Sequence, residues 1–205
     1  MTNFNKFFKT RQTVLEMLRD RKFDTAEYFD ENGEYIQLNQ ELFNQNQNFN
    51  INNLQLIVSK LNYPDDKIQV LFHEKKIGID ILKLIISEMN DINITHTILI
   101  VKYKITSFAK KEIIKLSPKY NFEIFLENEM LFNITKHRIV PKHILLDDAD
   151  TKALINCYGK KTFYLPKIFK TDAICKYYDG KVGDIFKIER EKNIYYRVVT
   201  RDPKK

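Results

Sequence analysis

The sequence has no tryptophan, five glycines, five prolines and two cysteines in 205 residues. Each shortage closes off a class of chemistry. Gly33, Gly78, Gly159, Gly180 and Gly183 never fall into GxxxxGK or GxGxxG, so there is no glycine-rich phosphate loop. Cys157 and Cys175 form no CxxC pair and no disulfide framework, which points to a reducing compartment, with both side chains expected to be buried as apolar groups. No apolar run reaches about 18 residues, so no transmembrane helix and no membrane partner are expected. Met1-Thr2-Asn3-Phe4-Asn5-Lys6 lacks a continuous apolar core and a small-residue cleavage site, and does not read as a secretory signal. None of the four histidines, His73, His96, His137 and His143, meets another His or Cys at zinc-finger spacing. No serine or cysteine sits in a nucleophile-elbow context. No metal, cofactor, small-molecule substrate or catalytic residue is expected.

What is present is an ordinary globular balance, 43% apolar and 30% charged, in a chain long enough for one domain or two. Asn, Ile and Lys are abundant, as an A+T-rich genome would produce, so a count of lysines says little by itself. The distribution of charge says more. Residues 1–133 hold 17 Lys and Arg against 18 Asp and Glu, a net −1; residues 134–205 hold 17 against 9, a net +8. This shift supports a boundary near residue 133. The basic part is either a solvated surface with lysine bias or a face for acidic protein or nucleic acid.

Phe4, Phe7, Phe8, Arg11, Val14, Leu15 and Leu18 recur at helical spacing, so residues 3–21 read as an amphipathic helix with an exposed charged side. In the poorly legible stretch 24–53, Gly33-Glu34 marks a turn, Tyr35-Ile36-Gln37-Leu38 a short strand, and Asn44-Gln45-Asn46-Gln47-Asn48 a low-complexity loop. Strand, helix, strand, helix and strand then follow over 68–72, 78–89, 95–102, 106–116 and 121–126. Short connections in that order imply parallel pairing in a small central sheet, an α/β domain. The remainder reads as a small α+β module. His143 to Leu146 is extended, and a helix capped by Asp147 or Asp148 runs to Tyr158. Leu165-Pro166-Lys167 is extended, Asp172 starts a short helix, and two strands over 184–190 and 194–198 are joined by Glu191-Lys192-Asn193.

Two segments invite a functional reading. Pro64-Asp65 followed by Glu74-Lys75-Lys76 has the form of a nuclease signature, in which two carboxylates hold a metal and a lysine helps activate water. Asp65 and Glu74 flank one strand, however, and nine extended residues span about 30 Å, too far to share an ion. Asp65 therefore reads as a turn residue and Glu74-Lys75-Lys76 as a solvated strand end. The second segment is the junction where Lys102, Lys104, Lys110 and Lys111 flank Thr106 and Ser107. A helix N-terminus with nearby lysines suits phosphate, and a capped helix with solvated lysines explains the same residues.

The run Asn133-Ile134-Thr135-Lys136-His137-Arg138-Ile139-Val140-Pro141-Lys142-His143 carries a resemblance. It is similar to the signature Asn-Ile-Thr-x-His-x-Leu-Val-Pro-Lys-His of the fifth-largest subunit shared by eukaryotic nuclear RNA polymerases, whose archaeal form is the C-terminal module alone. Leu165-Pro166, Gly183-Asp184-Ile185-Phe186-Lys187-Ile188-Glu189-Arg190 and Tyr196-Arg197 follow the family's order. Arg11-Gln12-Thr13-Val14-Leu15-Glu16-Met17 and Asp20-Arg21 resemble the opening helix of the eukaryotic type. Three departures stand out: Ser107-Phe108 replaces Pro-Ser, Ala173 follows Asp172 where the family has Pro, and Lys22 stands where Gly is usual.

The resemblance implies a non-catalytic polymerase subunit of two domains. Residues 1–132 would form a lower-jaw domain near downstream duplex DNA, with the topology of a type II restriction endonuclease but no active site. Residues 133–205 would form an assembly domain docking on the largest polymerase subunit, with Thr135, His137, Val140, Pro141, Lys142, His143, Leu165, Pro166, Lys187, Ile188, Arg190 and Arg197 as docking residues. Lys104, Thr106, Ser107, Lys110 and Lys111 would lie nearest the DNA. Asn133 to His143 would be the strand and turn that open the assembly domain. A cellular source implies the nucleus. The composition also suits a large DNA virus or a divergent protist, and a viral source would imply the host cytoplasm, in viral factories, and the virion. A stand-alone basic nucleic-acid-binding protein and a metal-dependent nuclease are the alternatives.

Overall fold

The computed structural model describes residues 3–32, 35–36, 54–159, 164–191 and 193–203. The chain divides into two compact units, Met1–Phe132 and Asn133–Lys205. The expected turn at Gly33-Glu34, Gln37-Leu38 of the expected strand, the Asn44–Asn48 tract and Lys192 of the hairpin loop lie outside the described residues. Tyr35 forms an isolated antiparallel bridge with Phe29.

The first unit opens with helix α1 (Asn3–Asp20). Its charged side is less exposed than expected: from Thr10 to Leu18 only Gln12 escapes full burial. Arg11 is 3% exposed because its guanidinium donates to Tyr35 Oη at 2.6 Å and lies 5.2 Å above the Tyr28 ring. Burial, helped by Glu27, pushes the Tyr28 hydroxyl up to about 12. The helix ends in a Schellman motif, with Phe23 N–H donating to Leu18 O and Lys22 N–H to Arg19 O, both at 2.9 Å. This places Lys22 at φ 66°, where a side chain is disfavoured. The family's usual Gly at this position therefore has a plain steric reason.

A sheet follows in the order β1-β2-β3-β4. Strand β1 (Leu56–Lys60) pairs antiparallel with β2 (Tyr63–His73), which pairs parallel with β3 (His96–Val101); β3 pairs parallel with β4 (Asn121–Leu126). Hydrophobic patterning announces the three parallel strands but not β1, which is short and alternates weakly. β2 begins at Tyr63, earlier than expected, and its first five residues are exposed. Asp65 is therefore a strand residue rather than a turn residue. The turn comes before it, at Leu61-Asn62.

Helices α2 (Ile79–Asp91) and α3 (Ser107–Leu116) link the parallel strands. Thr106 caps α3, accepting from Ala109 N–H at 3.2 Å. Ile85 and Met89 of α2 pack with Leu71, Leu99, Val101 and Tyr120 on one face of the sheet. The other face carries Ile98 and Ile100, both buried, so β3 is covered on both sides.

The second unit holds a four-stranded sheet in the order β5-β7-β8-β6. Strands β5 (Lys142–Leu145), β7 (Ile185–Glu189) and β8 (Ile194–Thr200) pair antiparallel, while β6 (Lys167–Phe169) runs parallel to β8. Strand structure begins at Lys142, not at Asn133. Ile134–Lys136 form a 3-10 turn because Asn133 Oδ1 accepts from both Thr135 N–H and Thr135 Oγ1. Leu165 and Pro166 precede β6 rather than belonging to it. Asp147 caps α4 (Asp148–Tyr158) and Asp172 caps α5 (Ala173–Tyr177). α4 buries Leu154 and exposes most of its length, so Cys157 is exposed, contrary to expectation. Cys175 is buried with Ile168, Ile174, Phe186, Ile188 and Val199 in this unit's core. Gly180 lies against it so tightly that a Cβ there would fall 2.8 Å from Cys175 Sγ. Burial pushes the Cys175 thiol up to about 11.

Candidate functional site

The nuclease-like residues do not converge. Asp65 lies in the exposed half of β2 and Glu74 follows its last residue, so about 30 Å of extended backbone separates them.

Among the described residues of the first unit, the most perturbed carboxylate is one the sequence did not reveal. Glu123 on β4 accepts from Arg21 through both oxygens at 2.8 Å, and from His96 Nε2 at 2.7 Å. Strand register explains the meeting. Ile98 faces Glu123 across the parallel pair, and His96, two residues earlier on β3, shares that face. Burial would raise the Glu123 carboxyl, but Arg21 and His96 outweigh it and hold the group well below the usual carboxylate range. Both oxygens are occupied within the fold, so this cluster ties the end of α1 to the sheet. Residues 21, 96 and 123 lie too far apart in sequence for any local pattern to pair them.

The lysine-flanked junction is a real surface. Lys104, Ser107, Lys110 and Lys111 are exposed and Thr106 is half-buried beneath its cap bond. They sit at the carboxyl end of the parallel strands, where α/β sheets commonly place binding residues. Phe108, beside Ser107, is 72% exposed. The loop does not stand alone. Lys102 N–H donates to His73 O at 3.1 Å and Thr106 N–H to Ile77 O at 3.2 Å, fastening it to the segment after β2.

The twelve residues assigned to docking by resemblance fall into separate places within the second unit. Ile188 is 2% exposed and belongs to that unit's core, so it supports the fold rather than a surface. His143 lies opposite Ile188, and Arg197 opposite Phe186, on that same inner face. The His143 ring packs edge-on against Phe186 at 6.2 Å, and its Nδ1 lies 2.7 Å from Pro141 O. Burial lowers its pKa below the ordinary histidine value, with the Pro141 carbonyl opposing. Thr135 is held by Asn133, and Val140 packs against the core.

Lys142 and Lys187 occupy the outer face. Both reach Glu189, at 3.3 and 2.8 Å, and these contacts hold its carboxyl below the usual range. His137, Pro166 and Arg190 are exposed, and Leu165 is half-buried. Pro166 O accepts from Val198 N–H, and Arg190 lies 5.1 Å over the Tyr195 ring. Register adds Ile144, Tyr196 and Phe169 to the outer face; Tyr196 belongs to the Tyr196-Arg197 motif, whereas Ile144 and Phe169 were not singled out by the sequence. In β8, Ile194-Tyr195-Tyr196 leaves no polar position to mark one side.

The comparisons with known proteins agree on one family. The family model for RNA polymerase Rpb5, N-terminal domain, matches residues 2–89, and that for RNA polymerase Rpb5, C-terminal domain, matches residues 132–200. A DNA-directed RNA polymerase subunit 5-like protein 1 of Arabidopsis thaliana is 35% identical over 90% of this chain and 89% of its own length. The rpabc1 subunit of DNA-directed RNA polymerases I, II and III of Dictyostelium discoideum is 32% identical over 98% of both chains. Its RPABC1 counterpart in Caenorhabditis briggsae is 31% identical over 95% and 93%. The chain belongs to the RNA polymerase Rpb5 family. It is a non-catalytic subunit of a DNA-directed RNA polymerase, with no active site of its own.

Proposed function

We propose that this subunit docks on the largest polymerase subunit through Asn133–Lys205 and holds Met1–Phe132 in the lower jaw, near downstream duplex DNA. The carrying observation is that residues 132–200, matched as the family's C-terminal domain, form a unit with a core of its own. Such a unit can present a stable surface. The outer sheet face, with Lys142, Ile144, Lys187 and Tyr196, supplies the docking surface, together with exposed His137, Pro166 and Arg190. Ile188, His143 and Arg197 hold that face in shape from within. Other polymerase subunits are further partners, as the names of the relatives imply.

In the first unit, three parallel strands flanked by helices support a likeness to type II restriction endonucleases. The separation of Asp65 from Glu74 fits the loss of their chemistry. Lys104, Thr106, Ser107, Lys110 and Lys111 form the surface nearest DNA. The working location is the nucleus, in keeping with the cellular eukaryotes in which the named relatives occur. A viral source, with cytoplasmic factories and packaging in particles, rests on composition alone.

Affinity purification of the tagged chain tests the docking. Wild-type protein should recover the large polymerase subunits, while Lys142→Glu with Lys187→Glu should recover them several-fold less with unchanged circular dichroism. A wild-type preparation free of any large polymerase subunit would sink the proposal.

A further inference from the structure

Glu74-Lys75-Lys76 resembles part of a nuclease signature but has no metal partner at Asp65. Its position supplies another use. The segment leaves β2 at His73 and reaches buried Ile77. The hydrogen bonds from Lys102 N–H to His73 O and from Thr106 N–H to Ile77 O fasten its two ends to the loop after β3. Two loops from neighbouring parallel strands are therefore tied together at both ends. Lys75, Lys76, Lys104, Lys110 and Lys111 are exposed and Lys102 is half-buried.

Among the described residues, six lysines thus stand near Glu74, Glu112 and Asp80, the last in the first turn of α2, while Glu88 acts on His73 where the loop begins. Glu112 is occupied by Lys115 at 2.9 Å. The surface ends at β4, where Glu127 is buried and Glu129 accepts from Leu126 N–H. This concentration of charge stands in a unit whose net charge is close to zero, so it does not follow from the chain's overall basicity.

We infer that Lys75 and Lys76 belong to the nucleic-acid surface, forming with Lys102–Lys104 and Lys110–Lys111 one continuous contact for the phosphate backbone of duplex DNA. The inference rests on the DNA-facing reading proposed for Lys104, Lys110 and Lys111, and extends it to a second loop. The chemistry is phosphodiester neutralisation without base readout. Lysine ammonium groups act as point charges on the backbone, and binding strength follows counterion release.

The test uses the full chain and a fluorescent duplex of about 20 base pairs, titrated by anisotropy across a series of salt concentrations. Lys75→Ala with Lys76→Ala should weaken binding at least fivefold at low salt and make the slope of log K against log salt shallower by about 2, since each phosphate contact contributes roughly 0.9. Lys104→Ala with Lys110→Ala should do the same. Lys9→Ala with Lys83→Ala, which removes equal charge from exposed helix positions elsewhere in the unit, should change neither. Unchanged binding for the Lys75/Lys76 pair alone overturns this inference and leaves the parent reading standing. Unchanged binding for both patch pairs, or no wild-type binding, overturns both. Equal weakening by the Lys9/Lys83 pair shows a diffuse charge effect and overturns the patch. Tighter binding of a single strand of the same length, or equal binding of polyglutamate, overturns the assignment to duplex DNA.

Discussion

The two units handle charge in opposite ways. The first is almost neutral overall, yet it buries an ion cluster of Arg21, Glu123 and His96 and gathers lysines at one end of its sheet. The second carries the whole basic excess but forms its ion pairs at the surface, as in Lys142 and Lys187 with Glu189, or Lys181 with Asp179. Net charge therefore does not locate concentrated charge. A unit at −1 can present a dense basic surface where topology brings loops together, and a unit at +8 can distribute its charge over solvated strands.

The strongest challenge to this contrast is to unfold one unit and watch the other. Ile188→Asp places a carboxylate among Phe186, Cys175 and Ile174, and should destabilise the second unit by more than about 4 kcal/mol. Amide exchange on the full chain should then lose protection in β5, β7 and β8 while β2, β3 and β4 keep theirs. Loss in both sheets would show that the units stand or fall together.

The next test addresses the first unit's buried ions. Arg21→Met leaves Glu123 without its main partner and should destabilise that unit by about 3–5 kcal/mol. The same contacts set an acid response. The folded carboxyl is depressed from its ordinary 4.5 to about 2, so its stabilisation is complete above about pH 4.5 and is lost as pH falls toward 2. The burial of this pair should make the loss nearly insensitive to salt, whereas the half-buried, solvent-facing Glu189 contacts should be screened. A salt-sensitive acid transition in the first unit would contradict the burial. The mildest change is at the helix end. Lys22→Gly relieves a positive φ and should stabilise the first unit by about 1 kcal/mol in urea titration.

Much of this architecture was legible in local patterns. The apolar run from Thr97 to Val101, the Thr106 cap, the Asp147 and Asp172 caps and the β7–β8 hairpin all announce themselves, because each depends on neighbours in the chain. The charge change near residue 133 falls where the two compact units meet in sequence. What stayed hidden depends on register. The meeting of His96 with Glu123, the junction of Lys75 with the Lys104 loop and the core position of Ile188 are fixed only once strands are paired. β1 escaped notice because Leu56-Ile57-Val58-Ser59 is too short to separate from its surroundings. The residues proposed for docking were picked as a motif, and a motif does not distinguish side chains that shape a face from those that form it.

The order β5-β7-β8-β6 also sets a sequence of events in folding. The two central strands are the last of the four to be synthesised. β5 and β6 have no neighbours to bond until the β7–β8 hairpin exists, so each must wait with its backbone unpaired. β5 must close a loop of roughly 40 residues to reach β7, whereas the hairpin closes across a few, which favours the hairpin as the nucleus onto which both flanking strands condense. In the first unit the strands pair in chain order, and its sheet can grow as each arrives. The first unit can therefore be complete while the second is still open, leaving the fold of Asn133–Lys205 as the last the chain acquires.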